Sequence, residues 1–479
     1  MQIKDLKIAL VSLQQDAERV PPVGLVYLAT YLKEKAGLNS KNIRIIDKNY
    51  FDIYNEIDTF NPHIIGISAM TVNYQEATDF AFKIKRKVNT TIIIGGVHIS
   101  TLPESFRQCF DIGVIGEGEE TLADLARLYA EKGKFDYEGL EEIKSIIYYK
   151  NNEIKQSPIR DSLELDSLPL ADFSFAHPNY FRKEEIPGIS SVGKKYYLIS
   201  SRGCPYRCLF CSTARFWGKM RLHSPEYTAR IAEKALKEYD ADFLKVLDDL
   251  FTVSPQRLRL IKTEFEKKGI LDKIAGIECF VRANLVTEEL CKAMKDIKVK
   301  VVNFGFESGS EKILGYLKAG SVTVQMNKDA VLLCKKYGFN VYGSLMYGSP
   351  TETIHDMKKT NEFIDFCIEN NASYIWSFVS TPFPDTPFWD IALQRGKVSN
   401  DMDFGLLSHH NAERPLLLDE GISTEEFQKV FLDGRRKLRS MKLKLIKNLI
   451  LKNFPKTLSL AVKEPGYYAK RAYRQIFKQ

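Results

Sequence analysis

Apolar residues in the first 130 positions gather into short, nearly unbroken runs: Ile8 to Leu13, Arg44 to Ile46, Ile64 to Ser68, Thr91 to Ile94 and Ile112 to Ile115. Runs of this length with little polar alternation suit strands buried on both faces of a parallel sheet. Between them the apolar spacing changes to three and four. Gly24 to Lys35 sets Leu25, Leu28, Ala29 and Leu32 on one helical face. Tyr74 to Lys87, Pro103 to Cys109 and Glu119 to Glu131 read as further helices. Strands alternating with helices predict βαβ units, and five such strands a flavodoxin-like, doubly wound parallel sheet. A ligand there lies beyond the carboxyl ends of the strands.

The rhythm breaks at residues 151–190, where Pro158, Pro169, Pro178 and Pro187 stand among polar residues and predict an extended linker. A second series follows. Its strands are Tyr196 to Ser200, Phe243 to Leu247, Gly276 to Phe280, Val299 to Phe306, Asn340 to Met346 and Ser373 to Ser380. Six β/α units predict a partial parallel (β/α)6 barrel with its chemistry at the carboxyl ends of the strands. The expected organisation is a sheet domain over 1–142, a linker over 143–189, a barrel over 190–395 and a mostly helical, basic C-terminal region over 396–479.

Composition changes little: 44% hydrophobic and 27% charged residues are ordinary for a soluble globular α/β chain. No run reads as a membrane span, and Met1 to Asp5 lacks the apolar core of a signal peptide, which points to the cytoplasm. Thiols stay reduced there, so the eight cysteines are ligands, catalysts or core filler. Charge is uneven. Residues 435–479 hold 14 Lys and Arg against one acid, Glu464, although the whole chain is only +8. Leu438, Met441, Leu445 and Leu449 recur there at helical spacing. The pattern fits an interfacial helix on an anionic membrane surface, and a lipid-like substrate with it. It also fits a helix packed on the protein. No RNA-binding module accompanies it, so nucleic acid is not expected as a partner.

The strongest chemical signal is Ser201-Arg202-Gly203-Cys204-Pro205-Tyr206-Arg207-Cys208-Leu209-Phe210-Cys211, directly after the first barrel strand. Three thiolates spaced C-x3-C-x2-C converge from one loop and can hold an iron–sulfur cluster with one iron left open. Structural zinc wants a second ligand pair, which the chain lacks. Arg202 and Arg207 offer charge to offset the thiolates. Cys109, Cys279, Cys291, Cys334 and Cys367 lie in strand or helix patterns and read as core thiols.

This motif, at the top of the first strand of a partial barrel, resembles the radical S-adenosylmethionine (SAM) superfamily. The resemblance implies that Cys204, Cys208 and Cys211 bind a 4Fe–4S cluster. Its open iron would chelate SAM, and an electron from the cluster would release a 5′-deoxyadenosyl radical. It implies a reductant such as flavodoxin or ferredoxin. By the same resemblance Phe210 lies near the adenine. Asp248 and Asp249 in Leu247-Asp248-Asp249-Leu250-Phe251 face the SAM amine, Arg282 its carboxylate, and Glu307 and Ser308 the ribose. The plain alternatives are a solvated helix start for the aspartates, an ion pair for Arg282 and a helix-start charge for Glu307. Gly348-Ser349-Pro350-Thr351-Glu352-Thr353 resembles the family's turn after the fifth strand. Thr381 to Pro387 resembles the element after the sixth, with Asp385 in place of a glycine.

The order Ser68, Gly95-Gly96 and Gly116-Glu117-Gly118 at successive strand ends resembles the cobalamin-binding domain that precedes many such barrels. These residues would flank the cofactor's nucleotide tail. The loop after the first strand, Leu13 to Arg19, holds no cobalt-ligating histidine. His63 lies at the wrong end of its strand, and His98 reads as structural. The resemblance thus implies cobalamin bound without a protein ligand to cobalt. The activity it implies is methylation of an unactivated carbon of a small or lipid-like substrate. Alternatives are a non-methylating radical reaction, such as cyclisation, oxidation or rearrangement, and a non-catalytic sensor. Methylthiotransferases use a second cluster, for which the N-terminal half offers only Cys109.

Overall fold

A computed structural model describes residues 1–14, 20–88, 90–185, 192–419, 421–441 and 443. Its first sheet contains β1 (Ile8–Ser12), β2 (Ile43–Asp47), β3 (Ile64–Ser68), β4 (Thr91–Gly95) and β5 (Ile112–Val114). An antiparallel hairpin of β6 (Ile146–Lys150) and β7 (Glu153–Gln156) continues it. The order is β2-β1-β3-β4-β5-β6-β7, with the first five parallel. This is the flavodoxin-like arrangement expected from the apolar runs. Every residue of β1 is buried, as a strand covered on both faces requires.

One local expectation fails. The helix placed at Pro103 to Cys109 starts earlier, at Val97–Thr101, because Gly96 turns the chain straight out of β4. Pro103 then opens only a short turn, Pro103–Ser105. The helix Ile53–Phe60 was not foreseen, although Asp52 caps it through the N–H groups of Tyr54 and Asn55.

The described part of the stretch expected to be a linker, 143–185, is a strap packed on both sheets. It begins with the β6–β7 hairpin. Farther on, Asp172 pairs with Lys33 at 3.1 Å, and the Tyr180 hydroxyl donates to Asp47 at 2.5 Å. Toward the barrel, Asp166 meets His223 at 2.9 Å, and Phe173 packs edge-on against Tyr196 with ring centres 4.9 Å apart. The prolines keep this segment irregular, while its apolar residues still find cover.

The chain continues through β8 (Lys183–Glu185), β9 (Val192–Leu198) and a small antiparallel pair, β10 (Ser201–Arg202) with β11 (Arg221–Leu222). Then come β12 (Phe243–Val246), β13 (Gly276–Val281), β14 (Val299–Glu307), β15 (Asn340–Tyr347) and β16 (Tyr374–Val379). The second sheet runs β16-β15-β14-β13-β12-β9-β8. All but β8 are parallel, giving the expected six-stranded partial barrel. Its outer face, with Leu244, Cys279, Val302 and Ile375, is buried. Cys109, Cys291, Cys334 and Cys367 are buried as well.

A helix over 424–441 returns to the barrel. Phe427, Phe431, Leu438 and Met441 are buried, and Lys437 pairs with Asp365. Leu438 and Met441, expected on a membrane-facing stripe, are therefore covered by protein. Most of the basic tail lies outside the described residues. Among those described, no helix is long and apolar enough to cross a membrane.

Candidate functional site

The loop after β9 carries three half-buried thiols, Cys204, Cys208 and Cys211, while the other five cysteines are fully buried. Gly203 is needed at its start. It sits at φ +91°, and a Cβ there would press on Lys219, Trp217 and Met220. Burial pushes the Cys204 thiol up, and Asp249, Cys208 and Cys211 add to the effect. Cys211 responds in the same way, again to burial first and then to Cys208 and Asp249. The thiols are thus close enough to repel one another once ionised. Among the described residues no three such side chains close on a single metal ion.

Cations gather at the rim. Arg282, after β13, donates to the Cys208 Sγ at 3.4 Å, to Asn284 at 2.9 Å and to Ser321 at 2.6 Å. Its guanidinium lies 3.7 Å from the centre of the Tyr206 ring. Lys318 pairs with Glu307 at 2.8 Å, both buried, and lies 5.3 Å from the centre of the Phe210 ring. Glu307 adopts φ +61°, unusual for a residue with a side chain. Its carboxylate fills the space a side chain at position 305 would need, which is why Gly305 is there. Lys318, Tyr206, Asn284 and Ser321 were not foreseen, since only the folded loop brings them to Arg282, Glu307 and Phe210.

The paired aspartates part company. Asp248 is buried, and its carboxylate accepts the Ser200 N–H at 2.6 Å and the Ser200 hydroxyl at 2.5 Å. It locks the end of β12 to the end of β9 instead of reaching a SAM amine. Asp249 accepts from Thr213 at 3.4 Å and influences the cysteine loop. Desolvation, then the Asp248 charge, pushes its carboxyl up to about 6. Asp249 is nonetheless an exposed residue, and the buried Asp248 carboxylate next to it favours its protonated form. Ser308 also departs from expectation. It is fully buried, bonded to Thr360 at 3.1 Å, and accepts the Ser310 N–H at 3.1 Å. That leaves it no face for a ribose.

At the first sheet's carboxyl edge, Ser68 is exposed and Gly95 follows on β4. Gly96 has φ +101°, and a Cβ there would strike the Ala69 backbone, so part of its role is packing between strand ends. Gly116, at φ +79°, faces open space. Gly118 begins the helix Glu119–Lys132, with Leu28 close by. Glu117, expected beside the nucleotide tail, turns toward two arginines. It binds Arg202 and, at 3.0 Å, Arg221, which hold its carboxyl below the usual range against the cost of burial. Glu119 binds Arg202 at 2.5 Å. Arg202 is therefore spent on this pairing rather than on offsetting cluster charge. His98 is fully buried between Thr71 and Ser105, and His63 accepts the Lys7 N–H at 2.9 Å.

These pairings turn the two carboxyl edges toward each other. The helix Val97–Thr101, following Gly96, touches the helix Thr213–Phe216, following Cys211. Phe404, from the chain after the barrel, packs on the first domain, 4.5 Å from His98 and 5.8 Å from Tyr74 between ring centres. The donor set fits a cluster: three accessible thiols, a guanidinium on one of them and a second buried cation close by. The open glycine edge fits a large flat ligand. No histidine stands there to ligate cobalt among the described residues.

Residues 198–364 match the radical SAM superfamily, and residues 10–126 match the B12 binding domain. An uncharacterized methyltransferase of Pyrococcus horikoshii is 30% identical over 381 residues, 78% of each chain. The anaerobic magnesium-protoporphyrin IX monomethyl ester cyclase of Cereibacter sphaeroides is 23% identical over 427 residues, covering 86% of this chain and 65% of that one. In fold, the chain resembles the radical S-adenosylmethionine methyltransferase TsrM of Kitasatospora setae, solved with cobalamin and a [4Fe-4S] cluster. The TM-score is 0.65 at 17% identity, covering 90% of this chain and 82% of that one.

Proposed function

Because this chain belongs to the radical SAM superfamily and joins its barrel to a B12-binding domain, we propose that it is a cobalamin-dependent methyltransferase acting on a carbon atom of a small molecule. When bound, the cluster and SAM supply a 5′-deoxyadenosyl radical, and cobalamin supplies a methyl group. The protein's residues bind and aim these groups. Cys204, Cys208 and Cys211 hold the cluster, and Arg282 neutralises part of its charge at Cys208. Asp249 receives the SAM amine. Phe210 packs on the adenine, while Lys318 fixes Glu307 beside the ribose. Ser68, Gly95, Gly96 and Gly116 leave the sheet edge open to cobalamin. The strap and the region around Phe404 cover the flanks and keep water from reactive species.

The observation that carries this reading is the pairing of the two carboxyl edges. Methyl donor and radical must meet at one substrate, and Glu117, Glu119 and Arg202 hold their sites mouth to mouth. The cyclase relative matches 86% of this chain, so the reaction itself needs a direct test. Reduced, cobalamin-loaded protein is given SAM with a ¹³C methyl group and candidate extracts. Methyl transfer predicts 5′-deoxyadenosine together with a product heavier by the labelled methyl. A modified product without the label would move the assignment to a non-methylating radical reaction.

A further inference from the structure

The inner face of the barrel is not filled. Closed barrels pack their interiors with layers of branched apolar side chains. Here strand register puts Tyr197, Lys245 and Glu278 on one face across β9, β12 and β13. The same face carries Phe280, Asn303 and Tyr342, and on β16 it carries Trp376 and Phe378. The outward neighbours Leu244, Cys279, Val302 and Ile375 are buried, whereas Lys245, Glu278, Asn303, Trp376 and Phe378 are only partly covered. Phe280 is 43% exposed in the middle of a sheet.

The face is graded along β13. Glu278 pairs with Lys245 at 3.5 Å and accepts from the Asn303 amide at 3.3 Å, making a polar floor. Two residues on is the bare Phe280 ring, and two further is Arg282, which touches Cys208. Four residues of strand span about 13 Å, the length of a small polycyclic molecule. Across β15 and β16, Trp376 is held stiffly, stacked on Tyr342 at 5.5 Å and edge-on to Tyr374 at 5.0 Å. Rings so braced suit flat partners, which stack on them.

We infer that the lumen takes a flat, carbon-rich substrate with one polar end that both donates and accepts hydrogen bonds. The body lies on Phe280, Trp376 and Phe378. The polar end meets Lys245, Glu278 and Asn303, where a neutral donor–acceptor group satisfies both charges. The opposite edge is turned toward Arg282 and the cysteine loop. This assignment rests on the reading that the reaction occurs at the barrel mouth.

The test uses cluster-loaded protein and four probes in anaerobic equilibrium dialysis: 2-naphthamide, naphthalene, decanamide and glucose 6-phosphate. Iron content and uncoupled 5′-deoxyadenosine release from SAM are read on the same samples. The expected order puts 2-naphthamide at least tenfold ahead of each of the others. Phe280→Ala and Phe378→Leu should each weaken it about tenfold, and Lys245→Met should reduce it to the level of naphthalene. Phe82→Ala, on the exposed face of the helix Tyr74–Lys85, is the control. Equal retention by wild type and Phe280→Ala overturns the assignment. So does no retention of 2-naphthamide, or tighter retention of decanamide or the sugar phosphate. Probe binding that depends on Phe280 in a protein that never cleaves SAM keeps the lumen assignment and removes the functional reading instead.

Discussion

Arg202, two residues before Cys204, is gripped by Glu117 from the other domain, so the cysteine loop is anchored by the sheet that carries the B12-binding fold. Glu119, at the start of its helix, completes the grip, where the helix N-terminus also favours its negative charge. A buried pair gives little net stability, yet removing one partner strands the others. Arg202→Met should therefore cost about 3–5 kcal/mol in denaturant unfolding. Combining it with Glu119→Gln should recover a measurable part. Purely additive losses would show that the residues do not act together.

The two aspartates should separate in their effects. Asp248→Asn weakens the bonds from Ser200 and should lower stability by roughly 1–3 kcal/mol. Asp249→Asn should leave unfolding nearly unchanged and weaken SAM retention in equilibrium dialysis about tenfold, near the worth of one charge-assisted hydrogen bond. The reverse pattern would exchange their roles.

Arg282 places a positive charge against one thiolate, which favours the reduced, more negative cluster. Arg282→Gln should move the midpoint potential downward by on the order of tens of millivolts in an electron paramagnetic resonance titration. An unchanged or higher potential would place Arg282 outside the cluster's field.

His98 sets an acid limit. Burial first, with Arg107 nearby, depresses it from 6.5 to about 3, so it is neutral when folded. A depressed pKa gives stability that is present above 6.5 and lost as pH falls toward 3. The slope is at most about 1.4 kcal/mol per unit. His98→Asn should flatten this slope in unfolding scans between pH 6.5 and 4. It should leave the spectrum of bound cob(II)alamin unchanged, since the His98 ring is fully buried and both its nitrogens are bonded to Thr71 and Ser105.

Both sheets were legible because buried parallel strands are written as apolar runs between helix-like spacings. β3 falls where its run places it, and the barrel strands fall within a few residues of theirs. β7 escaped because its residues are all exposed and Glu153-Ile154-Lys155-Gln156 carries no burial signal. The cysteine loop was legible because three ligands lie within eight residues. The partners of Arg202 were not, because Glu117 and Glu119 stand more than 80 positions away and no spacing rule joins them. Asp248 and Ser308 misled for a related reason. A motif gives the residue type at a strand end, but the neighbouring strand decides whether the side chain faces ligand or protein.

The central claim is that one chain holds a thiolate-bound cluster and cobalamin at facing edges. The most direct measurement is iron and cobalamin content after anaerobic reconstitution, for wild type and for the Cys204→Ala, Cys208→Ala, Cys211→Ala triple variant. The wild type should carry about four irons and one cobalamin per chain, with no histidine nitrogen in the cob(II)alamin resonance spectrum. The triple variant should lose the iron and keep the cobalamin. Iron retained by the triple variant, or a wild type that holds no cobalamin, would contradict the account.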